Sequence, residues 1–223
     1  MNRPTDDLRI HEAPATLRAL AVDRLRGAII AGRFAGGARL VERTLCDQLG
    51  VSRSVVREVI RTLEAEGLVD TSGRAGPVVA RLDWPQAAQI YDIRRLLESA
   101  AECARRADDA VKAQLAQALA GLEAAFSDAQ PSALYAATTT FYEVIFTAAG
   151  HDIAWEIVQR LNGRISRLRA LTLASTNRRV SGPAHMARIA GAIAANDPLA
   201  AGRAVRDHLI DAADIARTLL EAP

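Results

Sequence analysis

Apolar positions along the chain fall into runs with helical spacing, broken by glycine, proline and short polar links. Leu20, Val22, Leu25, Ile29 and Ile30 recur with the period of a buried helix face and stop at Gly32. Gly36-Gly37 then leads into Arg39-Leu40-Val41, a short strand, and ERTLCDQLG over residues 42–50 reads as a short helix with a glycine at its C-terminal turn. Ser52 is placed to cap the next helix, in which Val55, Val56, Val59, Ile60 and Leu63 gather on one face. Gly67-Leu68-Val69 and Pro77-Val78-Val79-Ala80, separated by Ser72, Gly73, Arg74 and Gly76, predict a two-stranded ribbon with a small basic tip.

Beyond Asp83-Trp84-Pro85, where proline suits a first helical turn, the pattern stays helical. Ile90, Ile93, Leu96 and Leu97 mark one helix to about Arg106, and Val111, Leu115, Leu119, Leu122 and Phe126 mark a second. A third spans roughly 132–149, a fourth 152–173 and a fifth 183–195, and Asp197-Pro198, an N-cap followed by proline at the first helical position, opens the last. The expected fold is therefore mostly α. Residues 1–14 form a loose arm, 15–82 a winged helix-turn-helix, and 83–223 an antiparallel six-helix bundle.

The helix after Ser52 carries the first chemistry. Behind its apolar face, Arg53, Arg57 and Arg61 fall at i, i+4 and i+8, a cationic stripe on the side that faces away from the core. An arginine fork matches the O6 and N7 acceptors of guanine, and each such pair gives roughly 1–3 kcal/mol of base discrimination. Serine hydroxyls and helix N-terminal amides suit phosphate oxygens, so Ser52 and Ser54 are assigned to positioning, and Arg53 or Arg57 to base reading. Arg61 lies far enough along for a phosphate contact or a pair with Glu58 or Glu64. Net charge adds little: residues 1–80 hold 12 arginines against 10 acids, and the remaining 143 are neutral. Binding must rest on where the charge sits.

These residues resemble the GntR family of bacterial transcriptional regulators. The likeness runs through LRGAIIAGRFAGGARLVERTLCDQLGVSRSVVREVIRTLEAEGLV, residues 25–69, and on through the wing Gly73-Arg74-Ala75-Gly76. It implies operator contacts from Arg43, Ser52, Arg53, Ser54 and Arg57, with Arg74 and Gly76 in the wing. Val55 stands where the family commonly has proline in the first turn of the recognition helix.

The second region resembles the FCD (FadR C-terminal) ligand-binding domain of the FadR subfamily, on Ile93-Arg94-Arg95-Leu96-Leu97-Glu98, Phe141-Tyr142, Ala184-His185 with Ile189, and Asp197 leading to His208-Leu209. Many members hold a divalent metal, zinc or nickel, through an aspartate, a histidine one turn on, and two later histidines, and the metal takes the carboxylate of a small acid. Here the later histidines are His185 and His208, whereas Thr138 and Tyr142 occupy the first two positions. Threonine and tyrosine are poor ligands for such ions, so a metal on His185 and His208 would be weak and open, with Asp211 a carboxylate outside the family's position. Without metal, Thr138, Tyr142, His185 and His208 line the pocket and Arg94 or Arg164 takes a carboxylate.

The resemblance thus implies a repressor that binds a palindromic double-stranded DNA operator as a homodimer and is released by a small-molecule effector, an organic acid first. A metal-independent regulator with a non-acid effector, or an architectural DNA binder without effector, are the alternatives. No GxxxxGK, GxSxG or HExxH motif is present, and strands do not alternate with helices, so an enzyme is not expected. No apolar run approaches 18 residues, and Cys46 and Cys103 stand singly, as suits a cytoplasmic protein.

Overall fold

The computed structural model describes residues 17–73, 76–128, 130–166, 168, 172 and 181–221. The expected arm at 1–14 and Arg74 lie outside the described residues.

The first core is a winged helix. Helix α1 (Leu17–Ile30) buries Ala21, Val22, Leu25, Ile29 and Ile30. Helix α2 (Glu42–Leu49) ends where Gly50 adopts φ 66°, the left-handed conformation that costs glycine least, and donates its N–H to the Cys46 carbonyl. Helix α3 (Arg53–Ala65) starts at Ser52, whose hydroxyl accepts from the Val55 N–H, and buries Val56, Val59, Ile60 and Leu63. Strands β1 (Val69–Asp70) and β2 (Val78–Val79) pair antiparallel with Val69 opposite Val79, and Arg39 bridges to Val78, so the strand expected at 39–41 is a single bridge on the wing.

The second core is helical: α4 (Trp84–Leu96), α5 (Ala100–Arg106), α6 (Asp109–Ser127), α7 (Pro131–Ala149), α8 (Asp152–Arg164), α9 (Gly182–Ala194) and α10 (Pro198–Glu221). Asp83, Asp108, Ser181 and Asp197 each accept a backbone N–H at a helix start, and α10 lies along α4, α5 and α9. Seven helices among the described residues replace the six expected, because the first breaks at Leu97–Ser99. The fully buried Ser99 hydroxyl lies 2.8 Å from His151 Nδ1 at the start of α8, and that tie turns the chain so that α5 packs on α7 and α10. His151, given no role from sequence, thus staples the break. The expected fourth helix is described as far as Arg164, and its stretch toward 173 falls largely outside the described residues. Asn196, at φ 53°, closes α9 and donates to the carbonyls of Ala104 and Ala107, tying that turn to α5.

The two cores meet where α3 ends. A β-carbon on Gly163 of α8 would overlap the Glu66 carbonyl oxygen, so only glycine lets the two backbones touch. Next to it, Gly67 at φ 75° lies so close to α8 that a β-carbon would sit 2.9 Å from Arg164 Cγ. Glu66 also takes both arms of Arg26, from α1, at 2.8 and 2.6 Å, a half-buried pair that raises the Arg26 pKa through the hydrogen bond first and charge second. Tyr135 of α7 packs on the winged-helix core. Open clefts of about 1280 and 1070 Å³ flank this contact, so the domains touch along a narrow strip.

Gly163→Ala is expected to cost about 1–3 kcal/mol through overpacking, read as a lower Tm or as a second transition as the domains part. An unchanged single transition would remove the backbone contact from this account. Burial pushes the Cys103 thiol up to about 11, whereas Cys46 is only half-buried. A thiol reagent at pH 8 should therefore label one cysteine per folded chain, and fast labelling of both would contradict the burial of Cys103.

Candidate DNA interface and effector pocket

Arg43, Ser52, Arg53, Ser54 and Arg57 are all exposed on one end of the winged helix. The Ser52 and Ser54 hydroxyls are 2.8 Å apart at the N-terminus of α3, where unpaired backbone amides and the helix dipole favour an anionic oxygen. Arg53 and Arg43 have no ion-pair partner among the described residues. Gly76 adopts φ 78° at the base of the wing tip. Arg61 pairs with Glu58 at 2.8 Å, one of the two acids proposed for it.

Arg57 is held in a way the sequence did not suggest. Its Nε donates to both carboxylate oxygens of Glu42, at 3.0 and 3.2 Å, and this raises its pKa, hydrogen bond first and charge second. An exposed pair of this kind adds little stability. Its effect is geometric: Nε is occupied by Glu42, while the side chain stays 61% exposed. Arg18, at the start of α1, lines a hollow of about 260 Å³ with Ser54, Arg57 and Arg61, adding a cation that sequence reasoning missed. It lies more than thirty residues upstream, where only the tertiary fold could bring it to the stripe.

Inside the bundle a second group of polar side chains is buried. Arg94, in the last turn of α4, is 2% exposed, and its guanidinium carbon stands 5.6 Å from the centre of the Tyr142 ring. Arg94 Nε has no hydrogen-bond partner among the described residues. Thr138, one turn before Tyr142 on α7, donates its hydroxyl to the Leu134 carbonyl at 2.5 Å. His185 of α9 and His208 of α10 face each other with ring centres 5.3 Å apart, and His185 Nε2 is 3.1 Å from Asp211 Oδ2. Five of the six pocket residues named from sequence are therefore buried in one bundle core. Arg164 is not among them: it is exposed, on the side of α8 that meets Gly67 and the wing. Asn162 and Ser166, each 1% exposed, occupy the inward side instead.

The family's metal does not fit these residues. Thr138 has its hydroxyl committed to the backbone, and Tyr142, at the first histidine position, has a buried cation over its face. Asp211 is engaged with His185, and no group of three or more His, Cys, Asp or Glu among the described residues is arranged to hold an ion. A guanidinium placed here favours an anion rather than a second cation.

A winged helix with a cationic recognition face, joined to a helical bundle with a buried cation and polar groups inside, defines the class of one-chain DNA-binding regulators with a sensory domain. Residues 17–79 match the family model described as bacterial regulatory proteins, gntR family, and residues 89–211 match that of the FCD domain. The chain belongs to the GntR family, in its FCD-domain branch. It is 28% identical over 192 residues to an uncharacterized HTH-type transcriptional regulator in an unstable DNA locus of Streptomyces ambofaciens, covering 83% of this chain and 79% of that protein. With the HTH-type transcriptional repressor RspR of Escherichia coli it shares 26% over 203 residues, 87% and 86% of the two chains. Among solved structures, E. coli McbR/YncC superposes with a TM-score of 0.73 at 20% identity, over 92% of this chain and 99% of that one, a likeness of fold. Among the described residues no helix is long and apolar enough to cross a membrane.

Against a duplex selected from a random library, Arg57→Ala is expected to cut the ratio of specific to non-specific affinity by about five- to hundredfold, the range of one lost guanine fork. Glu42→Gln should lower that ratio less while tightening non-specific binding, since it removes a negative charge near phosphate. Fluorescence anisotropy on both duplexes reads these outcomes, and an Arg57→Ala protein with an unchanged ratio would refute base reading by Arg57.

Proposed function

We propose that this regulator is a repressor, released from a palindromic operator by a small organic acid whose carboxylate binds Arg94. The supporting observation is the buried guanidinium whose Nε has no hydrogen-bond partner among the described residues of the sensory bundle. Burying a guanidinium with a donor unused is costly, and a carboxylate entering beside it would form charge-assisted hydrogen bonds in a low-dielectric site. Thr138, Tyr142, His185 and His208 shape the remainder of the pocket without a metal. Repression agrees with the names of the repressor RspR and of the gluconate operon transcriptional repressor of Bacillus subtilis, which is 40% identical over 75 residues. That second match spans 34% of this chain and 30% of the repressor, so it speaks for DNA binding and not for the effector.

Two copies pairing through the bundle would set two recognition helices into successive major grooves. The exposed Ile93 and Leu96 on α4 supply apolar surface for such a pair. The acid shifts the protein toward a dimer whose winged helices no longer match the half-site spacing, limited by its difference in affinity for the two states.

The test uses full-length protein on its selected duplex with a panel of small carboxylates. At least one acid should release wild type, and Arg94→Met should bind DNA equally while needing about ten- to a hundredfold more acid, the loss of a charge-assisted contact. Release of Arg94→Met at the wild-type concentration, or by no acid in wild type, would overturn the acid reading.

A further inference from the structure

Three buried polar groups lie along one stripe of α8 and its immediate continuation. Trp155 Nε1, both amide atoms of Asn162 and the Ser166 hydroxyl are buried and have no hydrogen-bond partner among the described residues. They fall at i, i+7 and i+11, in phase with Val158 and Ile165, which are buried in the same core as Tyr91, Phe141 and Tyr142. Each such group keeps its desolvation cost without a hydrogen bond to offset it. Buried polar atoms in folded proteins are paired in the great majority, so three unpaired on one helix side call for a cause. Structural packing does not supply one, since leucine or alanine would fill Asn162's place without the loss.

We infer that Asn162 and Ser166 read a neutral hydrogen-bonding group on the effector, a hydroxyl or carboxamide, while Trp155 bounds that end with one further donor. The ligand class is then a hydroxy or amido acid. This rests on the acid reading only in that Arg94 takes its carboxylate. An amide offers both donor and acceptor, and a serine hydroxyl serves as either, which matches a group that is itself both. The same helix carries Gly163, next to Asn162, against the Glu66 carbonyl at the end of the recognition helix. The stripe therefore adjoins the residue that touches the end of α3, with no intervening element.

Matched acids differing by one group decide it: propionate against lactate, succinate against malate, and butyrate against succinamate, each followed by thermal shift and calorimetry on full-length protein. The hydroxylated or amidated member of at least one pair should bind about tenfold tighter to wild type. Asn162→Ala should bring that pair to parity, and Arg94→Met should weaken both members alike. Pairs that bind wild type equally, or a preference that survives Asn162→Ala, overturn the role of Asn162 and leave the acid reading standing. Should no acid bind while DNA binding is intact, the acid reading fails alone, and ligand-free melting of Asn162→Leu decides the rest. A higher Tm supports an amide held unpaired for a ligand, and a lower Tm shows a structural amide and overturns the inference.

Discussion

The contact on which the other features depend is backbone against backbone: Gly163 of the bundle beneath the carbonyl of Glu66, at the end of the recognition helix. Side chains hop between rotamers, but two main chains in van der Waals contact have nowhere to relax. The recognition helix, seated on α1 and α2, is thus held to α8 at its C-terminal end. Glu66 is fixed a second time by the Arg26 fork, so α1, α3 and α8 share one residue. Open clefts lie on both sides of this contact, and α1 meets α7 beside it. Such a narrow strip can be re-seated by a small movement of one helix, which a broad apolar interface would resist.

Sequence and structure agree most closely where local chemistry decides the outcome. Ser52 as cap, Gly50 as the left-handed stop of α2, and the apolar phase of α3 follow from short-range rules, and all three stand where the residues placed them. Asp197 with Pro198 set the start of α10 for the same reason. The break between α4 and α5 was hidden because the apolar period runs on through Leu96 and Leu97, and what breaks it is a hydrogen bond to His151, fifty-two residues away. Tertiary partners of that kind leave no mark in a local window.

The misplaced pocket arginine is a different case, because its correction was legible. Trp155, Val158 and Ile165 already mark the inner side of α8. Two residues along a helix is about 200° of rotation, so if Asn162 is inside, Arg164 is outside. Charge drew attention to Arg164 as a carboxylate partner, while helical phase pointed to the neutral Asn162. For a buried site, phase is the stronger guide, since it is fixed by the core and charge is not.

On the proposed reading, a family site loses its metal and still prefers an anion. A divalent ion brings two positive charges and needs negative or imidazole ligands around it. With Thr138 and Tyr142 in place of two ligands, that balance is gone, yet Arg94 keeps one positive charge at the Tyr142 ring. A guanidinium is permanently charged and directional, so it selects a planar carboxylate by geometry, where a metal selects by ligand exchange. A metal-bound acid depends on supply of the ion and on proton release from its ligands. An arginine-bound acid, as proposed for Arg94, would depend on neither, and the histidine pair beside Asp211 would serve shape and hydrogen bonding alone.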